Sequence, residues 1–397
     1  MSTRISTLGF HTTAAQQMDT LNAQIAQTQQ ELSTGLKLQS AADDPAGIAQ
    51  VNQLDAQISA SKQWQSNGTA LNSNLTLEEQ SLTDATNVMQ SARDLAIQAN
   101  NASLTPAQRQ DIATQLSQLQ QQLVAAANST DVNGAYLFGG EASSTQPFAQ
   151  SGTTVSFNGT TSVSQVQISS NQRISSSDSG YNVFMNIPGG NGTFTTGVGA
   201  ANTGSGSIDT GTVVNAAQWV PDTYTITFST PASYTVTNSG GTTVTSGTYT
   251  SPGTIAFDGI STTVSGTPAA GDTFTVAPAG KSSAFNTISN LITALNNPSL
   301  SSAQISSQVG TSLEQIDSAI SNFNVVQASV GARINAVSAA NTTATSQQTT
   351  MAASVSGIQN VDYAQATTQL SAQELALQAA QESYASIAKL SLFTYVQ

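Results

Sequence analysis

Three features of this sequence have the residue types that chemistry uses: the adjacent carboxylates Asp43-Asp44, the pair Glu78-Glu79, and the one histidine, His11. Paired carboxylates can divide general acid and general base work or hold a divalent cation together. A histidine can serve as base, nucleophile or metal ligand. Each has a structural alternative. Glu78-Glu79 lies in a helical pattern, where neighbours diverge by about 100° and do not share a face. His11 has no second histidine and no cysteine anywhere in the chain, so no zinc site of familiar spacing can be built. A Ser-His-acid triad would need His11 held in a rigid pocket, and it stands in a polar stretch near the chain end. No GxxxxGK[ST] run is present, and "GTTVSFNGTTS" and "NSGGTT" lack the strand-to-helix context of a phosphate loop.

Asp43-Asp44 belongs to "AADDPAGIA", residues 41–49. Pro45 suits the first turn of a helix, where its missing N–H costs nothing. Asp44 is then the helix cap, its carboxylate accepting from first-turn N–H groups, and both charges face the positive end of the helix dipole. Gly35 can close the helix before it. The pair marks a helix stop, a loop and a helix start. The sequence thus specifies no catalytic residue, no metal ligand set and no cofactor site, and the expectation is that the chain is not an enzyme.

The elements that place these residues fall into three zones. Met18, Leu21, Ile25, Thr28 and Leu32 are spaced three, four, three, four, a heptad seam. Val51, Leu54 and Ile58 follow, then Leu71, Leu75, Glu78, Leu82, Ala85, Met89, Ala92 and Ala96 after a phase shift. A third run is Ile112, Leu116, Leu119, Leu123 and Ala126, with Thr105-Pro106 as its start signal. From about 141 the heptads vanish. "DTYTITFS" (222–229), "SYTVTNSGGTTVTSGTYT" (233–250) and "TIAFDGISTTV" (254–264) alternate apolar with polar, as half-buried antiparallel strands do. Asn238-Ser239-Gly240-Gly241 fits a hairpin turn. From about 284 helix returns, with Val309, Leu313, Ile316, Ile320, Phe323, Gln327, Val330, Ile334 and Val337 in 4-3 spacing.

Long amphipathic helices cannot bury their seams alone. The economical fold is α+β and multidomain: a long antiparallel helical coiled-coil bundle built from both chain ends, with an all-β domain inserted in the middle. The expected boundaries are 1–44, 45–140, 141–283 for the β insert, 284–355 and 356–397. The outermost helices have poor seams, with Thr28 in one and Gln373 and Ala380 in the other. The expectation is that both ends stay loose in the monomer and order against neighbours in an assembly. The aromatics of the β zone, Trp219, Tyr224, Phe228, Tyr234, Tyr249, Phe257 and Phe274, read as core, with a carbohydrate-binding face as the alternative.

Composition limits the partners. Only 8% of the 397 residues are charged, against roughly 25% in ordinary soluble proteins. Nine basic and 22 acidic residues give a net charge of -13. Nucleic acid and anionic membrane surfaces both require clustered Lys and Arg, so neither is expected as a partner. No stretch has the roughly 20 apolar residues of a membrane span, and "MSTRISTLGFHTTAAQQ" has no signal-length apolar run. The default expectation is a soluble cytoplasmic chain, which leaves open export by a route without a cleaved signal.

Five separated stretches carry a resemblance: "MSTRIST" at the start, "ELSTGLKLQSAADDPAGIA" (31–49), "DVNGAYLFGG" (131–140), "SVGARINAV" (329–337) and "AAQESYASIAKLSLFTY" (379–395). They resemble the bacterial flagellin superfamily, and within it the hook-filament junction proteins more than the filament subunit itself, flagellin. The resemblance covers about the first 140 and last 110 residues. "IAFDGISTTVSGTPAAGDTFTV" (255–276) also resembles β modules of other hook-associated proteins.

The resemblance implies an extracellular structural subunit of the flagellum, exported unfolded by the type III route without signal cleavage. It implies a ring of copies, with hook-associated protein 1 on the hook side, flagellin on the filament side, and an export chaperone. The terminal segments would form an inner layer that orders on assembly. On that basis the expected assembly residues are Ile5, Leu8, Phe10, Met18, Leu21, Ile25 and Leu32 at one end, and Leu370, Leu377, Tyr384, Ile387, Leu390, Leu392, Phe393 and Tyr395 at the other. Asp44 and Pro45 would then stand where the inner segment meets the folded core.

Overall fold

The computed structural model describes residues 7–389, with only the backbone described for the first two and last two of them. Six α-helices are present among the described residues: α1 (Thr7–Thr34), α2 (Pro45–Ala99), α3 (Pro106–Ala127), α4 (Ala284–Asn296), α5 (Ser302–Gln359) and α6 (Tyr363–Lys389). Their starts follow from local chemistry. Thr105 caps α3 in a capping box, its backbone N–H donating to Gln108 Oε1 at 2.9 Å, with Pro106 at the first helical position. Ser283 Oγ accepts from Asn286 N–H at the start of α4.

The chain forms two compact units, one made of the two chain ends up to Gln65 and from Asn341, the other of Ser66–Ala340. In the first unit α1 packs on α6. The parts of α2 and α5 in this unit run antiparallel, as Gln348 Nε2 donating to Ser61 Oγ (3.1 Å) and Gln65 Nε2 donating to Thr345 Oγ1 (3.0 Å) require.

The second unit has two apolar cores. One is helical. Leu71, Leu75, Leu82, Ala85, Met89, Ala92 and Ala96 of α2 meet Ile112, Leu116 and Leu123 of α3, Ile288 and Leu291 of α4, and Val309, Ile316, Phe323, Val330 and Val337 of α5. These are the heptad positions. Here too α2 and α5 are antiparallel, bridged by Gln327 to Thr83 (3.0 Å), Arg93 to Asp317 (2.7 Å) and Ser306 to Asn100 (2.7 Å).

Residues 148–187 belong to this helical core. They form the hairpin β1 (Phe148–Ser151) and β2 (Thr154–Phe157), the pair β3 (Gln165–Gln167) and β4 (Arg173–Ser175), and a π-turn at Tyr181–Met185 that leads into β5 (Ile187–Pro188). Phe148, Val155, Ile174, Val183, Phe184 and Ile187 are buried against the helices. The Phe184 ring lies 5.2 Å from those of Phe138 and Phe323, 5.5 Å from Phe148 and 5.7 Å from Phe285. The change of composition at 141 therefore precedes the change of core by about fifty residues. Short strands and a turn supply the aromatic groups that fill the end of the bundle.

The second core is a two-sheet β module. It holds β6 (Phe194–Val198), β7 (Ser207–Ile208), β8 (Thr212–Val213), β9 (Tyr224–Thr230), β10 (Ser233–Thr237), β11 (Thr243–Thr248), β12 (Gly253–Phe257), β13 (Ile260–Ser265) and β14 (Thr273–Pro278), after which β15 (Lys281–Ser282) pairs back with β5. One sheet has the order β11-β10-β9-β14-β6; the other has β12-β13-β7, with β8 also on β13. Antiparallel register sets Ile226 opposite Phe274 and Tyr224 opposite Val276. Period-2 alternation then sends Tyr224, Ile226, Phe228, Val236, Ile255, Val264, Phe274 and Val276 into one core. The β10–β11 hairpin turns through Asn238–Thr242, with Gly241 at φ +76 and Gly241 N–H donating to the Asn238 carbonyl at 2.9 Å.

Candidate functional site

The described residues among those expected at an assembly surface lie on α1 and α6. In α1, Phe10, Met18, Leu21, Ile25 and Leu32 are half-buried, and Thr28 is buried. In α6, Leu370, Leu377 and Tyr384 are half-buried, with Gln373 and Ala380 between them. The 3-4 spacing puts each set on one stripe, and the stripes face each other within the chain. The polar positions meet as well: the Thr28 hydroxyl donates to Gln373 Oε1 at 3.1 Å. His11 stacks edge-on against Tyr384 at 5.3 Å. These seam residues thus occupy a thin two-helix interface, half-open to solvent. Ile387 is 44% exposed. Ile5, Leu390, Leu392, Phe393 and Tyr395 lie outside the described residues, as does the side chain of Leu8.

Two residues missed by the heptad pattern stand out on the same helix. Leu375 is 68% exposed and Tyr363 58%. A leucine off the seam carries no periodic signal, and its exposure is visible only in the structure.

The joint below α1 is built from "AADDPAGIA" and its counterpart after α5. Gly35, at φ +74, ends α1 with its N–H on the Glu31 carbonyl (2.8 Å). The next residues form a short bridge: Lys37 N–H donates to the Gln359 carbonyl (2.7 Å), Val361 N–H donates to the Gly35 carbonyl (3.0 Å), and Leu36 pairs with Asn360. Leu38 is buried beneath.

The two aspartates divide the joint between them. Asp43 Oδ2 accepts from Gln39 N–H (3.0 Å) and Ser40 N–H (2.8 Å), and these backbone bonds, Gln39 first, hold its carboxyl below the ordinary carboxylate range. Asp44 Oδ1 accepts from Ala46 N–H (3.0 Å) at the start of α2, with Pro45 as its first residue. Gly47 packs so closely that a Cβ there would sit 2.6 Å from Asp44 Oδ2 and 2.8 Å from Leu38 Cδ1. Asp362 repeats the device for α6, its Oδ1 accepting from Ala364 (2.9 Å) and Gln365 (3.1 Å). Asp44 and Asp362 accept from backbone N–H groups, and Asp43 adds the Ser40 hydroxyl to its two backbone bonds. Such an arrangement fixes chain direction.

Among the described residues no cluster of three or more His, Cys, Asp or Glu could hold a metal ion, and no helix is long and apolar enough to cross a membrane. In the β module, Tyr224, Phe228, Tyr249, Phe257 and Phe274 are buried in the sheet-to-sheet core, so they form no open aromatic face.

The geometry is matched by known families. The family model for the bacterial flagellin N-terminal helical region covers residues 5–143, and that for the C-terminal helical region covers 313–396. A third, the D2-like domain of flagellar hook-associated protein 1, covers 198–278, the span of the β-module core. Helices from both ends around a β insert define a flagellin-type protein.

Solved structures narrow this class. Hook-associated protein 3 of Legionella pneumophila is 33% identical with a TM-score of 0.74, the match covering 78% of this chain and 98% of that one. FlgL of Xanthomonas campestris is 31% identical with a TM-score of 0.71, covering 76% and 99%. The chain belongs to the flagellar hook-associated protein 3 family. Flagellar hook-associated protein 3 of Escherichia coli strain K12 is 31% identical over 121 residues, which are 30% of this chain and 38% of that protein. That alignment thus spans well under half of the curated relative.

Proposed function

We propose that this protein is a structural adapter of the bacterial flagellum that joins hook to filament by axial self-assembly. The carrying observation is the likeness to the Legionella hook-associated protein 3 across 98% of that chain and 78% of this one. In this reading copies form a ring, with hook-associated protein 1 below and flagellin above, after type III export with a chaperone, and the protein performs no catalysis.

Mechanism is then geometry. Subunits in a tube make head-to-tail contacts that continue rather than close on a two-fold axis. The α1–α6 pair suits this use. Its seam is half-open and contains the polar Thr28–Gln373 contact, so the pair is held weakly within one chain. Burying the seam residues and Leu375 between neighbours would add apolar contact at about 25 cal/mol per Å². The scarcity of charge removes like-charge repulsion between identical helices.

The test is a null strain viewed by electron microscopy, with immunogold labelling of the complemented strain. The adapter reading predicts hooks without filaments, flagellin monomers in the medium, and gold confined to a short band at the hook–filament boundary. Gold along the whole filament would make the chain a filament subunit instead, and intact filaments in the null would end the reading.

A further inference from the structure

Glu78 occupies a heptad position in the helical core and is fully buried, while its neighbour Glu79 is exposed. Facing it are Asp178, from the segment between β4 and the π-turn, and Arg333 of α5. Asp178 N–H donates to Glu78 Oε1 at 2.9 Å. The Asp178 carboxylate is ion-paired with the Arg333 guanidinium, which also donates through Nη1 to the Ser175 carbonyl at 3.3 Å. Their side chains are 32% and 14% exposed, so the cluster reaches the surface at the Asp178 side. Two atoms are left over: Glu78 Oε2 and Arg333 Nε are both buried without a hydrogen-bond partner. Asp178 and Arg333 are the charged groups that act on Glu78.

The charge count makes this cluster two-state. With Glu78 neutral, the carboxylate of Asp178 and the guanidinium of Arg333 balance. With Glu78 ionised, two adjacent carboxylates share one guanidinium, and one net negative charge is buried in an apolar core. That charge sits under the segment 175–187, which is tied down at both ends: by Arg333 on Ser175 and Asp178, and by Asn322 Nδ2 donating to the Val183 carbonyl at 2.8 Å. The same segment inserts Val183 and Phe184 into the helical core and leads into the β module.

We propose that Glu78, Asp178 and Arg333 form a proton-operated latch that locks segment 175–187 onto the α2–α5 pair when Glu78 is protonated and loosens it when Glu78 gives its proton to solvent. Oε1 accepts from Asp178 N–H, which leaves Oε2 as the unpartnered oxygen for the proton. Burial, then the neighbouring Asp178 carboxylate, pushes the Glu78 carboxyl up to about 8 from an ordinary value of 4.5, with Arg333 opposing. The folded chain therefore binds this proton more tightly than the unfolded chain. Stability falls as pH rises between those two values and is level outside them. The latch does not depend on the adapter reading.

The test is amide exchange of the full chain over residues 175–187 from pH 6 to 9, corrected for the intrinsic rate. The wild type loses protection there by roughly tenfold or more, and Glu78→Gln, which keeps shape without the charge, loses less than about twofold. Glu314, near Asp209 and Asp317, is also raised, chiefly by burial, to about 7, so Glu314→Gln is the control and must leave the fall in place. If Glu78→Gln fails to fold by circular dichroism, Asp178→Asn decides: without the second carboxylate the fall must move to lower pH by about one unit or more. A flat wild-type profile, an unchanged fall in Glu78→Gln, its loss in Glu314→Gln, or an unmoved midpoint in Asp178→Asn would each overturn the proposal.

Discussion

Replacing Gly47 by alanine should damage the joint below α1, although alanine is the better helix former. An added Cβ would lie 2.6 Å from Asp44 Oδ2 and 2.8 Å from Leu38 Cδ1, both closer than real Cβ atoms approach. To relieve both contacts the Asp44 carboxylate swings away and gives up its bond from Ala46 N–H, and buried Leu38 shifts. Loss of the cap costs about 1 kcal/mol, and displacing a buried leucine about 1–2 kcal/mol more. The helix-propensity gain of alanine over glycine offsets up to about 1 kcal/mol. The net is a loss of about 1–2 kcal/mol, which local amide exchange across residues 39–50 reads as roughly a tenfold loss of protection. The mechanism also fixes a coupling. Asp44→Ala alone should cost about 1 kcal/mol, but it removes one of the clashing groups. The double variant should therefore cost less than the sum of the singles, by about 0.5–1 kcal/mol. Strict additivity, or a Gly47→Ala protein with unchanged exchange, would refute the close packing of Gly47 against the cap.

Three further outcomes follow from the packing and charge of the described residues. Phe184→Ala removes the ring at the centre of the aromatic cluster with Phe138, Phe148, Phe285 and Phe323; it should cost about 3–5 kcal/mol in urea unfolding. Asp43, whose carboxyl is lowered by its Gln39 and Ser40 N–H bonds, contributes stability that is present above the ordinary carboxylate value and lost on acidification. Asp43→Asn should accordingly weaken protection of the 35–48 joint at neutral pH and remove its dependence on acid. Thr28→Val with Gln373→Leu replaces the polar contact of the α1–α6 seam by apolar packing. Exchange of both helices in the monomer should slow several-fold, and the rate of assembly onto isolated hooks should fall if opening of this pair precedes assembly.

The heptads were legible because 3-4 spacing is a direct consequence of helical geometry. Leu71 through Ala96 and Val309 through Val337 face the same core that their spacing implies. The joint was legible for a different reason: proline after aspartate has few other uses, and cap chemistry is local. The limits were equally physical. Segment 148–187 has the composition of the β module, but the hydrophobic core its side chains join is set by contacts with α3, α4 and α5, which no local pattern records. Glu78 fitted a helical seam by spacing, while Asp178 is 100 residues away in sequence and Arg333 farther still, so the charge cluster exists only in three dimensions. Leu375 lies off the heptad stripe, and its exposure is a property of the face that the stripe leaves out.

The central claim, that the paired terminal helices are the surface that assembles, is open to one direct measurement. The chain has no cysteine, so a single Leu375→Cys introduces a unique thiol at a position 68% exposed on α6. Its maleimide reaction rate is measured in the purified monomer and in isolated hook–filament structures carrying the same variant. The account predicts rapid labelling in the monomer and a rate slower by roughly tenfold or more once assembled. Equal rates in the two states would contradict it.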